Sequence, residues 1–444
     1  MSTPLESVEA SALPQTSTTP PKIEAWKWAI VWTMFLATML NYMDRQTMAS
    51  TQVAVRNEFH LSNEGYGKIE FWFGIAFAAM QLCSGVIADR FSMRLVYAGA
   101  LLVWSAAGFF TGYAETIIAL YACRMVLGIG ESFNWVCAAG VVERIIPREA
   151  RSLANGIFHG GASVGAALTP VLAWMIVGEH GENWRMLFQI VGAAGLIWAV
   201  LWFSLVRGER AKAVSNPRSH TSADNLAVEM PFIQVMKTRR FWIAFVFGTA
   251  VNLTWHFYRF WLSPLMTDKR GLNTRQLQWM LFAFFVLADV GSLLTGWATR
   301  RMIRGGMKVE RARLYVMFGT SALCLISGPA AFVENLWIAI PLICVFGMGA
   351  MGGFISYFSM TQELSGPHTS RCLGILGALI WFMIAVMQWA IGWVVDQIHD
   401  YTPMLIAFGF LPMAGTLVAM YWPDQEAHDK HMGELEAECG IKNS

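Results

Sequence analysis

Twelve stretches of about twenty or more predominantly apolar residues account for most of this 444-residue chain, near positions 26–52, 67–90, 95–114, 117–143, 152–178, 184–206, 240–266, 277–300, 312–332, 336–361, 371–395 and 402–422. Each is about long enough to cross a hydrocarbon core as a helix. In lipid every backbone N–H and C=O must find its partner within the protein, which leaves helices or a closed barrel, and runs of this length select helices. The predicted fold class is therefore all-α integral membrane, with twelve transmembrane helices. Charged residues make up only 14% of the chain, against about a quarter in soluble domains. The net charge of +2 is too small and too dispersed to suggest nucleic acid as a partner. The lipid bilayer is the expected surroundings.

The hydrophilic stretch 207–239 divides the spans six and six. The expected organisation is a tail at 1–25, a first six-helix bundle at 26–206, a linker at 207–239, a second bundle at 240–422 and a tail at 423–444. The first 22 residues are rich in Ser, Thr and Pro and lack a basic start to a short apolar segment, so a disordered tail is expected there with no cleaved signal peptide. Arg90 and Arg94, then Arg144, Arg148 and Arg151, then Arg300 to Arg313 crowd alternate connections, whereas Glu115, Glu179, Glu182, Glu334, Asp396 and Asp400 mark the others. By the positive-inside rule both termini and the linker are cytoplasmic, in a plasma membrane. An offset of 211 pairs Asn41 with Asn252, Gly85 with Gly296 and Arg90 with Arg301, a weak internal repeat of the sort transporters carry.

Charges inside the apolar runs carry the functional signal. Asp44 and Arg45 lie in the first span, Arg124 and Glu131 in the fourth. Each costs about 2.5–3.5 kcal/mol to place at the centre of a bilayer helix, so such residues mark a polar path rather than a packing device. Arg124 and Glu131 are seven apart and share a helix face about 10 Å apart, too far to pair with each other. Asp44 and Arg45 are their expected partners. An acid beside an arginine holds its proton weakly, and the same acid separated from it holds one strongly, so movement can load and release a proton. A static ion-pair network is the plainer reading of these residues.

In the seventh span His256 and Arg259 share a face among Trp255, Phe257, Tyr258, Phe260 and Trp261. They are candidates to meet an anionic or hydroxylated ligand, with Trp255 stacking on a sugar face; Arg259 reaching for lipid headgroups is the alternative. His159 sits on a fifth span whose Gly156, Gly160, Gly161 and Gly165 make a small-residue seam. Packing is its plainer role. Asp289 has no partner in its own helix, and pairing with Arg259 or His256 is one possibility. Gln81, Ser356, Tyr357 and Gln388 add hydrogen-bonding groups. The cysteines Cys83, Cys123, Cys137, Cys324, Cys344, Cys372 and Cys439 lack metal or disulfide spacing, so no metal site is expected. No phosphate-cradling GxxxxGK[ST] element is present, and no cofactor is implied.

The stretch Gly85-Val-Ile-Ala-Asp89-Arg90-Phe-Ser-Met-Arg94 resembles the GxxxDRxxxR loop signature of the major facilitator superfamily. Asn41-Tyr42-Met43-Asp44-Arg45 and Arg124-Met-Val-Leu-Gly128-Ile-Gly130-Glu131 are similar to elements of its anion:cation symporter branch, which includes hexuronate and galactonate carriers. The resemblance implies two six-helix bundles in the major facilitator fold, no enzymatic activity, and import of a small organic anion coupled to protons by alternating access. By the same resemblance Asp44 and Glu131 would exchange protons, and Arg45 and Arg124 would help organise the substrate carboxylate and the acids; Tyr42, Gln81, His159, Trp255, His256, Arg259, Ser356 and Tyr357 are the further candidates to meet substrate. Asp89, Arg90, Arg94, Glu143 and Arg144 would form a latch between the halves. A ligand glutamine of some members falls at Ala162 and an asparagine near Gly377, and a tyrosine is replaced by Phe77. These changes suggest a roomier, more basic pocket suited to a larger or diacidic sugar acid. A monomer is expected. An exchanger or uniporter of another carboxylate, or a membrane sensor without transport, are the alternatives.

Overall fold

A computed structural model describes residues 23–147, 150–178, 181–215, 236–362 and 369–421. The expected tails, most of the linker, and Arg148, Glu179 and Cys439 lie outside the described residues.

The first half comprises α1 (Ala25–Ser50), the short α2 (Gln52–Glu58), α3 (Asn63–Arg90), α4 (Met93–Thr111), α5 (Ile117–Glu131), α6 (Asn134–Ile145), α7 (Arg151–Ile176) and α8 (Trp184–Leu205). A short α9 (Glu209–Ser215) packs back on α4 and α6. The second half comprises α10 (Arg239–Pro264), a five-residue π segment (Leu265–Lys269), α11 (Thr274–Arg304), α12 (Val309–Cys324), α13 (Ser327–Phe332), α14 (Leu336–Gln362), α15 (Thr369–Ile398) and α16 (Thr402–Ala419). Ten of the spans among the described residues qualify as membrane-crossing by length and apolarity, with α5 and α6 together making one and α12 and α13 another. The remaining two crossings are α1 and α10. These are the helices in which Asp44 and Arg45, or His256 and Arg259, displace apolar residues.

Within the first half α1 packs on α7 and α4 on α8; within the second α11 packs on α14 and α10 on α16. Between the halves α3 runs along α15 and α7 along α11, with α1 and α10 meeting at the centre. In span numbers the interface pairs are two with eleven and five with eight. The internal repeat exchanges one pair for the other. The expected glycine seam is narrower than the sequence suggests: a Cβ at Gly161 or Gly165 would fall on the α1 backbone at Phe35 or Met39, whereas Gly156 has open space around it and Gly160 touches only the Phe35 ring edge. Cys83 is exposed, and Cys83, Cys123, Cys137, Cys324 and Cys344 are free.

Polar bonds between the halves gather at the end away from the linker. Asp396 accepts from the Asn63 and Glu64 backbone N–H groups at 3.0 and 2.8 Å and from Asn63 Nδ2 at 2.8 Å. Tyr401 donates to Asn63, Arg56 pairs with Asp268 at 2.6 Å, and Gln278 donates to the Ser50 carbonyl. A charged acceptor of three bonds outweighs a partly exposed ion pair, because bonds to charged groups contribute about 1.5–3 kcal/mol each and exposed pairs about 0–1. Along the first part of α3 Tyr66, Ile69, Phe73 and Phe77 are buried, while Leu82, Val86 and Phe91 beyond them are exposed. Asp89 and Arg90 are exposed at that far end, and Arg94 stacks on Phe203 of its own half. The seal in this structure is made at the opposite end from the expected latch.

The Asp396 interaction generates a direct expectation. With spin labels at exposed Asn57 and Gln276, Asp396→Ala should increase the population of long distances across the seal well beyond the effect of Arg56→Ala. An unchanged distance distribution would assign the seal to other contacts.

Candidate functional site

Near the centre, where α1, α3, α5 and α10 converge, six ionisable side chains are almost completely buried. Asp44, Arg45, Glu70, Arg124, Glu131 and Arg259 are each at most 4% exposed. Arg45 Nε donates to Glu131 Oε2, one of the pairings the sequence suggests. Arg124 does not turn to Asp44. Its Nη2 donates at 3.0 Å to Glu70 Oε1, while Arg259 Nη2 donates at 3.0 Å to Glu70 Oε2. Glu70 therefore bridges an arginine from each half, and the expected reach of Arg259 to headgroups is not observed.

Local sequence explains these positions. Because α3 begins at Asn63, capped by Ser62, Glu70 lies seven residues, or about 10 Å, inside the helix. A side chain at Gly128 would meet the Phe73 carbonyl of α3, so this glycine lets α5 approach α3 closely enough for Arg124 to reach Glu70. The helix is interrupted at Ser132 and Phe133, immediately after Glu131. Gly108 of α4 faces Asp44: a Cβ there would lie 2.6 Å from Asp44 Oδ1. Both Asp44 oxygens are buried without a hydrogen-bond partner in the protein, as are Arg45 Nη2, Arg124 Nε and Nη1, Arg259 Nε and Glu131 Oε1.

Rings enclose the Arg45 guanidinium. Tyr42, Phe73, Phe77 and Trp381 lie 5.5, 5.3, 4.9 and 5.0 Å from it, within cation–π range. Trp381 comes from α15 in the second half and also meets His256 at 4.7 Å. The His256 Nδ1 is buried without a partner, and its backbone carbonyl accepts from Gln388. Sequence reasoning named neither Trp381 nor Glu70.

Several other candidates make contacts within the protein. Trp255 stacks on Phe284 of its own half at 5.9 Å. His159 lies among the rings of Trp135, Phe158 and Phe358. Tyr357 packs against Gly248, Ser356 donates to the Gly352 carbonyl, and Gln388 accepts from Trp261. Asp289 pairs with neither Arg259 nor His256; it accepts from Ser163 of the first half at 2.7 Å. The space expected at Gly377 is filled by Gln81, whose Nε2 lies 2.6 Å from where a Cβ would stand. A separate polar cleft of about 750 Å³ opens on the sealed end, between Arg56 and His60 on one side and Asp268 and Asn273 on the other.

The Major Facilitator Superfamily pattern matches residues 34–372, and the chain belongs to that family. It is a multi-pass membrane transporter and not an enzyme. It is similar to the hexuronate transporter of Escherichia coli (strain K12), 23% identical over 409 residues that cover 89% of this chain and 94% of the relative. The D-galactonate transporter of Escherichia coli O6:H1 is 25% identical, with 86% and 92% covered. Among solved structures, an inward-facing, unoccupied bacterial homolog of the human lysosomal transporter Spinster superposes with a TM-score of 0.71 at 16% identity, covering 95% of this chain and all of that one.

The contact at Gly108 can be tested by overpacking. Gly108→Ala should lower the melting temperature by several degrees, consistent with about 1–3 kcal/mol for forcing atoms into a packed interior. Gly99→Ala, on the same helix with open space around it, should leave the temperature unchanged or raise it slightly. Equal responses would mean that Asp44 does not depend on the space at Gly108.

Proposed function

We propose that this protein is a proton-coupled symporter that imports a sugar acid across a bacterial inner membrane, with both termini cytoplasmic and the sealed end facing the periplasm. One observation carries the reading: three arginines and three acids are buried together where the two halves of a transporter meet. The relatives that carry hexuronate and galactonate support the substrate class.

The chemistry follows from the pairing. An ionised Glu131 occupies the Arg45 guanidinium. A proton on Glu131 weakens that pair and frees the fork to donate two parallel hydrogen bonds to a carboxylate. The ring cage keeps water from competing, which strengthens the new contact. Asp44, held within an apolar wall without a partner, is the second proton acceptor. His256, beside the same tryptophan, offers its ring nitrogen to a hydroxyl. Trp381 belongs to the opposite half, so parting the halves at the sealed end opens the cage and lets anion and protons exchange together. The pocket is less basic than the sequence alone suggests, because Arg259 is already neutralised by Glu70.

Two measurements test this assignment. In proteoliposomes Glu131→Gln should lose accumulation of galactonate or glucuronate driven by a pH gradient yet retain counterflow; full gradient-driven accumulation would refute proton transfer through Glu131. Arg45→Lys should weaken binding of the same acids by at least about tenfold, since a point donor cannot reproduce the fork. Binding unchanged from the parent protein would remove Arg45 from the substrate site.

A further inference from the structure

The Glu70 bridge has an unusual geometry for a structural ion pair. Each of its oxygens is held by a single Nη2, one from each half. Arg124 Nε and Nη1 and Arg259 Nε remain buried without a partner in the protein. Two guanidinium groups thus converge on one tethered carboxylate that satisfies each through one bond, whereas a free carboxylate can take both arms of a fork. The bridge also adjoins the Arg45 site, because Arg45 and Arg124 stand 5.3 and 5.8 Å from the same Phe73 ring. The two places thus share the Phe73 ring as a common wall.

We propose that the space between Arg124 and Arg259 is a second carboxylate subsite that the protein fills with its own Glu70, and that Glu70 thereby restricts the transporter to acids bearing a single carboxylate. The selectivity part rests on the reading of the Arg45 region as the sugar-acid site. With Glu70 in place, Asp44, Glu70 and Glu131 can balance Arg45, Arg124 and Arg259. A first substrate carboxylate is accommodated by protonation of Glu131, while a second meets Glu70 where it would need a cation. Without Glu70, two arginine forks face one another with no counter-charge, and a free carboxylate is the group that fits both.

Purified full-length protein carrying Glu70→Ala should melt below the parent in chloride and recover with millimolar sodium acetate at constant ionic strength. The recovery should exceed any acetate shift of the parent, and Glu70→Ala combined with Arg259→Ala should lose that excess. Glu70→Ser, which also vacates the space, serves for the same titration if the alanine variant does not fold. Lack of any acetate-specific recovery overturns the subsite. For selectivity, galactonate and galactarate differ by the second carboxylate, and Glu70→Ser should shift their affinity ratio toward galactarate by at least tenfold. An unchanged ratio, or a uniform loss for both acids, reduces Glu70 to a structural counter-ion. If neither parent nor variant binds a sugar acid while acetate restores the alanine variant, the subsite stands and the substrate class proposed above falls.

Discussion

Everything at the centre of this molecule follows from the cost of holding charge away from water. Breaking a buried pair by removing one member typically costs about 3–5 kcal/mol, because the remaining charge is stranded. The positions of α1, α3, α5 and α10 are therefore coupled through Arg45–Glu131 and the Arg124–Glu70–Arg259 bridge. The apolar packing around them sets the distances, and close approaches such as that of Gly128 to Phe73 make the pairings reachable. A transporter needs such coupling to be reversible. Pairs whose strength depends on a proton or an incoming anion meet that need, whereas purely apolar contacts would respond to neither.

Much of the architecture could be read from the chain because a bilayer imposes a simple rule on helix length. Twelve runs, a hydrophilic divide and a signature at Gly85–Arg94 were sufficient for the fold. Asp44, Arg45, Arg124 and Glu131 were equally legible, since a charge well inside an apolar run is conspicuous. Glu70 was not. It follows Lys68 closely and lies near the start of its apolar run, so it reads as charge at a helix end; only the true start at Asn63 places it deep inside. A signal was nonetheless present, because a buried Arg259 requires an acid and Glu70 shares a helix face with Phe73 and Phe77.

Contacts between distant helices were the part least legible in the chain. Substitution to glycine at 377 suggests empty space, yet the volume at such a site belongs to whichever neighbour reaches it, and Gln81 on another helix does. The seal is similarly invisible in one dimension, since Asn63 and Asp396 are 333 residues apart and stand in connections that a span-by-span reading passes over. The ring contacts of His159 and Trp255 were equally hidden, because aromatic and imidazole side chains in an apolar run give no sign of which neighbour they will meet.

The charged cluster is unevenly divided between the halves. Asp44, Arg45, Glu70, Arg124 and Glu131 belong to the first bundle, and the second adds only Arg259 to them. The first half thus holds most of the buried charge, and the second supplies mainly a wall. Such asymmetry separates two tasks. A change in wall residues such as Trp381 and His256 would reshape the cage around Arg45 while leaving the ion pairs opposite them assembled.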